Sequence, residues 1–210
     1  MLWGSPEEIL ARLLALVAAF TIHEYAHART ADMMGDPTPR SLGRLTLNPA
    51  AHVDPVGLLL LFFAGFGWAR PVPVNPYNFA DPRRGMMLVA AAGPLSNLVL
   101  AYLTLVVQAL AGPDLMYPGS FAGQLLVQFY RFNLVLAVFN LLPVPPLDGS
   151  RILAGLLPGR GFVDALEQYG WLLLMLLIFT RVIDAVMGPL LRGLNWLLRA
   201  LVSAMLGWAG

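Results

Sequence analysis

The sequence predicts an all-α polytopic membrane protein. It reads as a bundle of about five transmembrane helices with one short re-entrant or interfacial segment and a small extended element. Three observations predict this. Of 210 residues, 58% are hydrophobic and 12% charged, with a mean hydropathy of +0.70, whereas soluble domains run near a quarter charged. Apolar runs of spanning length recur between breaks rich in proline and glycine. One further apolar run is too short to cross. The same composition excludes a disordered chain, a collagen-like fibre and a nucleic-acid binder. A net charge of +1, with every cation an arginine, offers an acidic partner no electrostatic attraction. The absence of cysteine removes disulfides, thiolate nucleophiles and Cys-type metal sites.

The first span runs from about Ile9 to Ala31. Its start is written as a capping box: Ser5 at the N-cap, Pro6 at the first helical position and Glu8 reaching back. The acidic flank argues against a signal peptide, which carries positive charge there. Further spans follow at about Met86–Ala111, Gln124–Leu142, Leu166–Val186 and Leu190–Trp208. The last carries Arg192, Asn195 and Arg199 on one face, which suits an interfacial helix or a span against a polar groove. Gly57–Trp68 is apolar, but at about 18 Å it falls short of the roughly 30 Å hydrocarbon core. With that segment re-entrant, Arg29, Arg40, Arg44, Arg70, Arg83 and Arg84 share one side with Arg151 and Arg160. The positive-inside rule makes that side cytoplasmic and puts the N-terminus outside. No repeat or appended soluble domain is visible, so residues 1–210 read as one domain, with C-terminal helices over about 164–208.

Inside the first span stands His23-Glu24-Tyr25-Ala26-His27, an H-E-x-x-H. Residues i and i+4 share a helical face, so both imidazoles can reach one metal ion, with Glu24 beside them as general base. Zinc suits the imidazoles and activates water at neutral pH. A pair of histidines satisfied by interhelical hydrogen bonds is the competing reading. It weakens within a membrane, where each ionisable group costs on the order of 2–3 kcal/mol to insert. Helix rise puts His23 roughly 20–25 Å along the span, near its cytoplasmic side.

Zinc needs a further protein ligand, and Asp148, His52, Asp54, Asp32 and Asp36 compete for that place. Asp148 is favoured. It follows Pro143, Pro145 and Pro146, where a span halts and irregular backbone at membrane depth must line a cavity or be buried. Its alternative is an N-cap for the segment Ser150–Leu157.

The H-E-x-x-H, the Asn140-Leu141-Leu142-Pro143 run leading to Asp148-Gly149, and Gly93-Pro94-Leu95-Ser96-Asn97 between them resemble the site-2 protease family of intramembrane zinc metalloproteases. The likeness covers about residues 10–157 and is similar to the compact members without PDZ or CBS domains. It implies that His23, His27 and Asp148 bind one zinc ion, that Glu24 is the catalytic base, and that Asn140 and Asn97 face the site. An amide can stabilise an oxyanion or hold substrate backbone; equally, asparagines in spans can only join helices. His52, in Asn48-Pro49-Ala50-Ala51-His52, is a possible accessory group near the entrance rather than a ligand. Trp68–Pro76 cannot be helical, and Pro71 and Pro73 allow at most an edge strand, which could pair with an extended substrate.

The expected function is therefore regulated intramembrane proteolysis: hydrolysis of peptide bonds within or next to transmembrane segments of membrane proteins, in a prokaryotic plasma membrane. A zinc transporter or zinc-dependent scaffold is the alternative, because transport sites also place histidine and aspartate at mid-membrane. Against it stand the single dense site and the lack of a repeat. Substrate identity and oligomeric state are not legible.

Overall fold

The computed structural model describes residues 4–64, 68–112, 117, 119–157 and 161–207, with side chains at 58, 61–64 and 161–167 excepted. Among the described residues eight α-helices follow one another: α1 (Pro6–Met33), α2 (Thr38–Ser41), α3 (Pro55–Ala64), α4 (Pro82–Leu110), α5 (Phe121–Asn140), α6 (Asp148–Leu156), α7 (Gly161–Phe179) and α8 (Val182–Leu206). The only pairing of extended backbone among the described residues is a single antiparallel bridge between Val53 and Ala69.

Among the described residues, three helices are long and apolar enough to cross a membrane: α1, α4 and α5. A fourth crossing is added if the bent pair formed by Gln168–Phe179 and α8 counts as one broken span. The chain is an integral membrane protein with three or four such helices where the sequence suggested five. The difference lies at the C-terminus. The expected break near Gly188-Pro189 does not occur, and Pro189 is inside α8. The turn comes earlier, where Arg181 adopts φ +58° and the axis bends by 81°.

Sequence logic accounts for the starts of the long helices. Ser5 caps α1 by accepting from the Glu8 N–H at 3.2 Å, with Pro6 at the first position. Asp81 caps α4 by accepting from the Arg83 and Arg84 N–H groups at 3.0 and 3.1 Å. Ser120 caps α5 through the Gly123 N–H at 3.0 Å. On α1, Ala11, Ala15, Ala19, His23, His27 and Ala31 recur every fourth residue, and all six are buried. Alanines let α4 and α5 approach closely, as small residues do between membrane helices. The two histidines occupy the same ridge and therefore point into the three-helix junction.

Helix α6 packs on α4 at that junction. Helix α8 runs antiparallel to α5: Met187 packs beside Val138 and Leu142, while Leu198 and Val202 pack beside Tyr130 and Leu105. Its polar stripe meets α5. Asn195 Oδ1 accepts from the Tyr130 hydroxyl at 2.7 Å and from Arg199 Nε at 3.1 Å, and the Arg199 guanidinium lies 5.9 Å from the Tyr130 ring centroid. Asn195 and Arg199 of the stripe therefore face Tyr130 of α5.

Helix α3 is ten residues long, about 15 Å, and Asp54 caps it through the Val56 and Gly57 N–H groups, both at 2.9 Å. Residues 65–67, at the end of the short apolar segment, lie outside the described residues.

Candidate metal centre

His23 and His27 project from one face of α1, and Asp148 comes from the first turn of α6. Their side chains are the one group of three or more histidine, aspartate or glutamate residues among those described that could hold a metal ion. Nε2 of His23 and Nε2 of His27 lie 3.0 Å apart. Asp148 Oδ2 is 3.2 Å from the first and 3.3 Å from the second. A tetrahedral ion with bonds of about 2.0–2.1 Å sets its ligand atoms roughly 3.3 Å apart, so this triangle is one face of such a polyhedron.

The far side of each ring shows which atoms hold lone pairs. His27 Nδ1 is 2.7 Å from the Val89 carbonyl, which can only accept, so Nδ1 carries the proton. His23 Nδ1 donates in the same way to Asn97 Oδ1 at 2.6 Å. Both Nε2 atoms then present lone pairs to each other and to a carboxylate oxygen that is buried without a hydrogen-bond donor. Three acceptors facing one another in a buried pocket repel unless a cation sits among them. A divalent metal fits this donor set, and the two histidine–carbonyl contacts are the partners that orient metal-binding imidazoles.

Two glycines permit close approaches here, one against the triangle and one at the start of α6. A Cβ on Gly93 would lie 2.5 Å from His27 Cε1 and Nε2 and 2.6 Å from His23 Cε1. A Cβ on Gly149 would run into the carbonyls of Leu141 and Leu142, which the start of α6 overlies. Leu147, not Asp148, is the N-cap residue of α6. The capping alternative for Asp148 therefore does not hold, and its carboxylate is free to face the histidines.

The competing ligands are all engaged elsewhere. Asp32 holds Arg40 through two bonds of 2.8 and 2.6 Å. Asp36 is fully buried and accepts from Thr38, the Asn75 N–H and Asn78 Nδ2. Burial pushes its carboxyl up, but these hydrogen bonds outweigh that and hold it below the usual carboxylate range. Asp54 caps α3.

Glu24 is 8% exposed, and its Oε2 accepts from the Val72 N–H at 3.1 Å. The segment that supplies this N–H is strapped to the preceding loop. Arg44 donates to the carbonyls of Ala51 and, at 2.9 Å, Pro71. The Arg70 N–H donates to the His52 carbonyl at 2.8 Å. Burial and the nearby Arg70 charge lower the Arg44 guanidinium from its ordinary value, partly offset by Glu24. His52 itself is fully buried, with Nε2 2.8 Å from the Thr46 carbonyl. It braces the strap and does not join the histidine–aspartate triangle.

The two predicted asparagines part company. Asn97 touches His23. Asn140 Nδ2 donates at 3.0 Å to Leu136 O of its own helix. Asn133 was not singled out by the sequence, yet it is fully buried and accepts from Asn97 Nδ2 at 2.8 Å. Its only sequence signal is an amide seven residues before Asn140, in a span that also carries Gln124, Gln128 and Arg131.

Comparison with known proteins agrees with this geometry. Residues 119–180 match peptidase family M50. The chain is 44% identical over 188 residues to the Bacillus subtilis protein named "Putative zinc metalloprotease YwhC", covering 85% of this chain and 84% of that one. It is 37% identical over 139 residues to Rip2 of Mycobacterium tuberculosis, which carries the same designation, covering 63% of this chain but only 52% of Rip2. MJ0611 of Methanocaldococcus jannaschii, likewise designated, is 29% identical over 143 residues, 67% of this chain and 68% of its own. No solved structure matches. The site and the membrane helices define a membrane metallopeptidase. The chain belongs to peptidase family M50, the zinc metalloendopeptidases of the site-2 protease type, and not to a class of zinc transporters.

Proposed function

We propose that this chain hydrolyses peptide bonds within or next to the transmembrane segments of other membrane proteins, using His23, His27 and Asp148 to hold one zinc ion and Glu24 as general base. The observation that carries the reading is the convergence of three lone-pair-bearing ligand atoms within 3.3 Å in a buried pocket, one residue from a buried carboxylate. Zinc in that pocket supplies Lewis acidity and brings the pKa of a water to about 7. Glu24 takes the proton of the attacking water and delivers it to the leaving amine. Asn140, with one N–H engaged by Leu136 O and a second to offer, donates to the oxyanion.

The non-helical backbone from Arg70 to Asn75 acts as an edge for a substrate segment drawn out of its own helix. Its Val72 N–H is held against Glu24, so a strand laid along it is led to the base. Residues 1–210 act as one membrane-embedded unit. Its N-terminus is outside, α8 makes the fourth crossing, and the site opens toward the cytoplasmic face of a prokaryotic plasma membrane, where the arginines of residues 29–84 gather.

The test is cleavage of model transmembrane peptides by zinc-loaded chain in lipid vesicles. Cleavage by the wild type and none by Glu24→Gln, with equal zinc in both, supports the proposal. A wild type that holds one zinc per chain yet cleaves no member of a broad peptide panel overturns it.

A further inference from the structure

The proton on His23 Nδ1 is fixed differently from that on His27. Val89 O leaves His27 no choice, because a backbone carbonyl cannot donate. His23 faces a side-chain amide, and an amide has two orientations that differ only in which end donates. With Oδ1 toward the ring, Nδ1 is protonated and Nε2 bears the lone pair. With Nδ2 toward the ring, Nδ1 becomes the acceptor, Nε2 carries the hydrogen, and the ligand atom is lost.

We propose that Asn133 is a positioning residue for the metal centre, setting the Asn97 amide and through it the His23 tautomer. This rests on the reading of His23, His27 and Asp148 as zinc ligands. The polarity is propagated from a fixed point. Asn133 Nδ2 donates at 2.8 Å to the Phe129 carbonyl, one turn back in α5, so its Oδ1 must face away from that carbonyl. Asn133 Oδ1 accepts from Asn97 Nδ2 at 2.8 Å, and Ala19 O accepts from the same nitrogen at 3.3 Å. Turning Asn97 over would press its oxygen against both acceptors. Its Oδ1 is thereby held toward His23 at 2.6 Å. Asn97 and Asn133 are both fully buried, so no water competes for these groups. Three helices meet in the relay: α5 holds α4, and α4 orients the imidazole of α1.

Zinc affinity of the detergent-purified chain, measured by competition with a chelator, separates positioning from packing. Asn133→Leu removes the acceptor that holds Asn97 and is expected to weaken zinc binding by up to about 10–100-fold, the range for losing a direct partner of a metal-binding histidine. Asn133→Asp keeps an oxygen toward Asn97 Nδ2 and is expected to bind zinc close to wild type, although it disturbs the bond to Phe129 O. Asn195→Leu breaks a comparable polar link between α5 and α8 and is expected to lower thermal stability without changing zinc affinity. Wild-type affinity in Asn133→Leu, or an equal loss in the Leu and Asp variants, overturns the proposal. Should the Leu variant not fold, Asn133→Ala is read in the same way. A wild type without zinc overturns the ligand reading itself, and this inference with it.

Discussion

Gly93 of α4 stands directly against His27 of α1: a Cβ placed on the glycine would lie 2.5 Å from both Cε1 and Nε2 of the imidazole. The glycine is therefore part of how the ligand face is shaped, since the helix backbone itself forms one wall of the pocket. Gly93→Ala is expected to push the imidazoles off their positions. Overpacking of this kind costs about 1–3 kcal/mol, and here the loss falls on the metal pocket. Zinc content after purification should drop together with thermal stability; a variant with full zinc and unchanged melting would contradict the packing described.

Metal binding and turnover should separate cleanly between Glu24 and Asp148. Glu24 is adjacent in sequence to His23, and its carboxylate accepts from the Val72 N–H. Glu24→Gln is expected to retain zinc and lose about 10²–10⁴-fold in turnover, the range for a removed general base. Asp148→Ala deletes the carboxylate oxygen that lies 3.2 and 3.3 Å from Nε2 of the two histidines, a ligand atom on the proposed reading. It should lose more zinc affinity than the about 10–100-fold expected for an outer partner. Parallel metal analysis and peptide cleavage on the two variants check both statements.

How much of this was legible follows from the kind of signal each residue carries. His23, Glu24 and His27 are readable because helical spacing alone puts two imidazoles on one face, and the buried ridge from Ala11 to Ala31 shows that face turned inward. The proline-broken span before it could favour Asp148 over its rivals without deciding its role, since an aspartate before a glycine caps helices as readily as it binds metal. In the structure the N-cap of α6 is Leu147, which counts against the capping role alone. Asn133 was missed because an amide in a span looks the same whether it joins helices or orients a ligand; its meaning lies in a partner 36 residues away. The C-terminal break was misplaced for a local reason. Gly188-Pro189 is a strong breaker on paper, but a proline in a membrane helix is tolerated when neighbours satisfy the freed carbonyl. The actual turn uses an arginine at positive φ, which leaves no sequence signature.

Asp36 is the structural anchor of the loops below the site, tying residues 36, 38, 75 and 78 together. Its hydrogen bonds hold the carboxyl below its ordinary value, so it binds a proton less readily folded than unfolded. The stability it contributes is present in full above the unfolded carboxylate pKa of about 3.9. It is lost as pH falls below that value and through the folded one. Asp36→Asn places an amide donor among donors and is expected to cost about 1–3 kcal/mol at neutral pH. The variant should also show a shallower loss of stability on acidification than the wild type. Thermal melts of both proteins from about pH 7 down to about pH 3, across that carboxylate range, check the sign.

Val72 is where the strap and the base meet. Its N–H donates to the Glu24 carboxylate, and the flanking Pro71 and Pro73 have none to give. Pro71 is held from behind by Arg44. Val72→Pro removes that one hydrogen while leaving every ligand of the triangle in place, and proline is compatible with extended backbone. Zinc content should remain that of the wild type. Turnover of a transmembrane peptide should fall, because both the orientation of Glu24 and the edge offered to an extended substrate depend on backbone at this residue. A small water-soluble peptide, already extended and needing no edge to hold it open, should be less affected. If the variant instead cleaves the transmembrane peptide at the wild-type rate, the strap is not the surface on which substrate is laid, and the contact between Val72 and Glu24 is a packing detail of the resting protein.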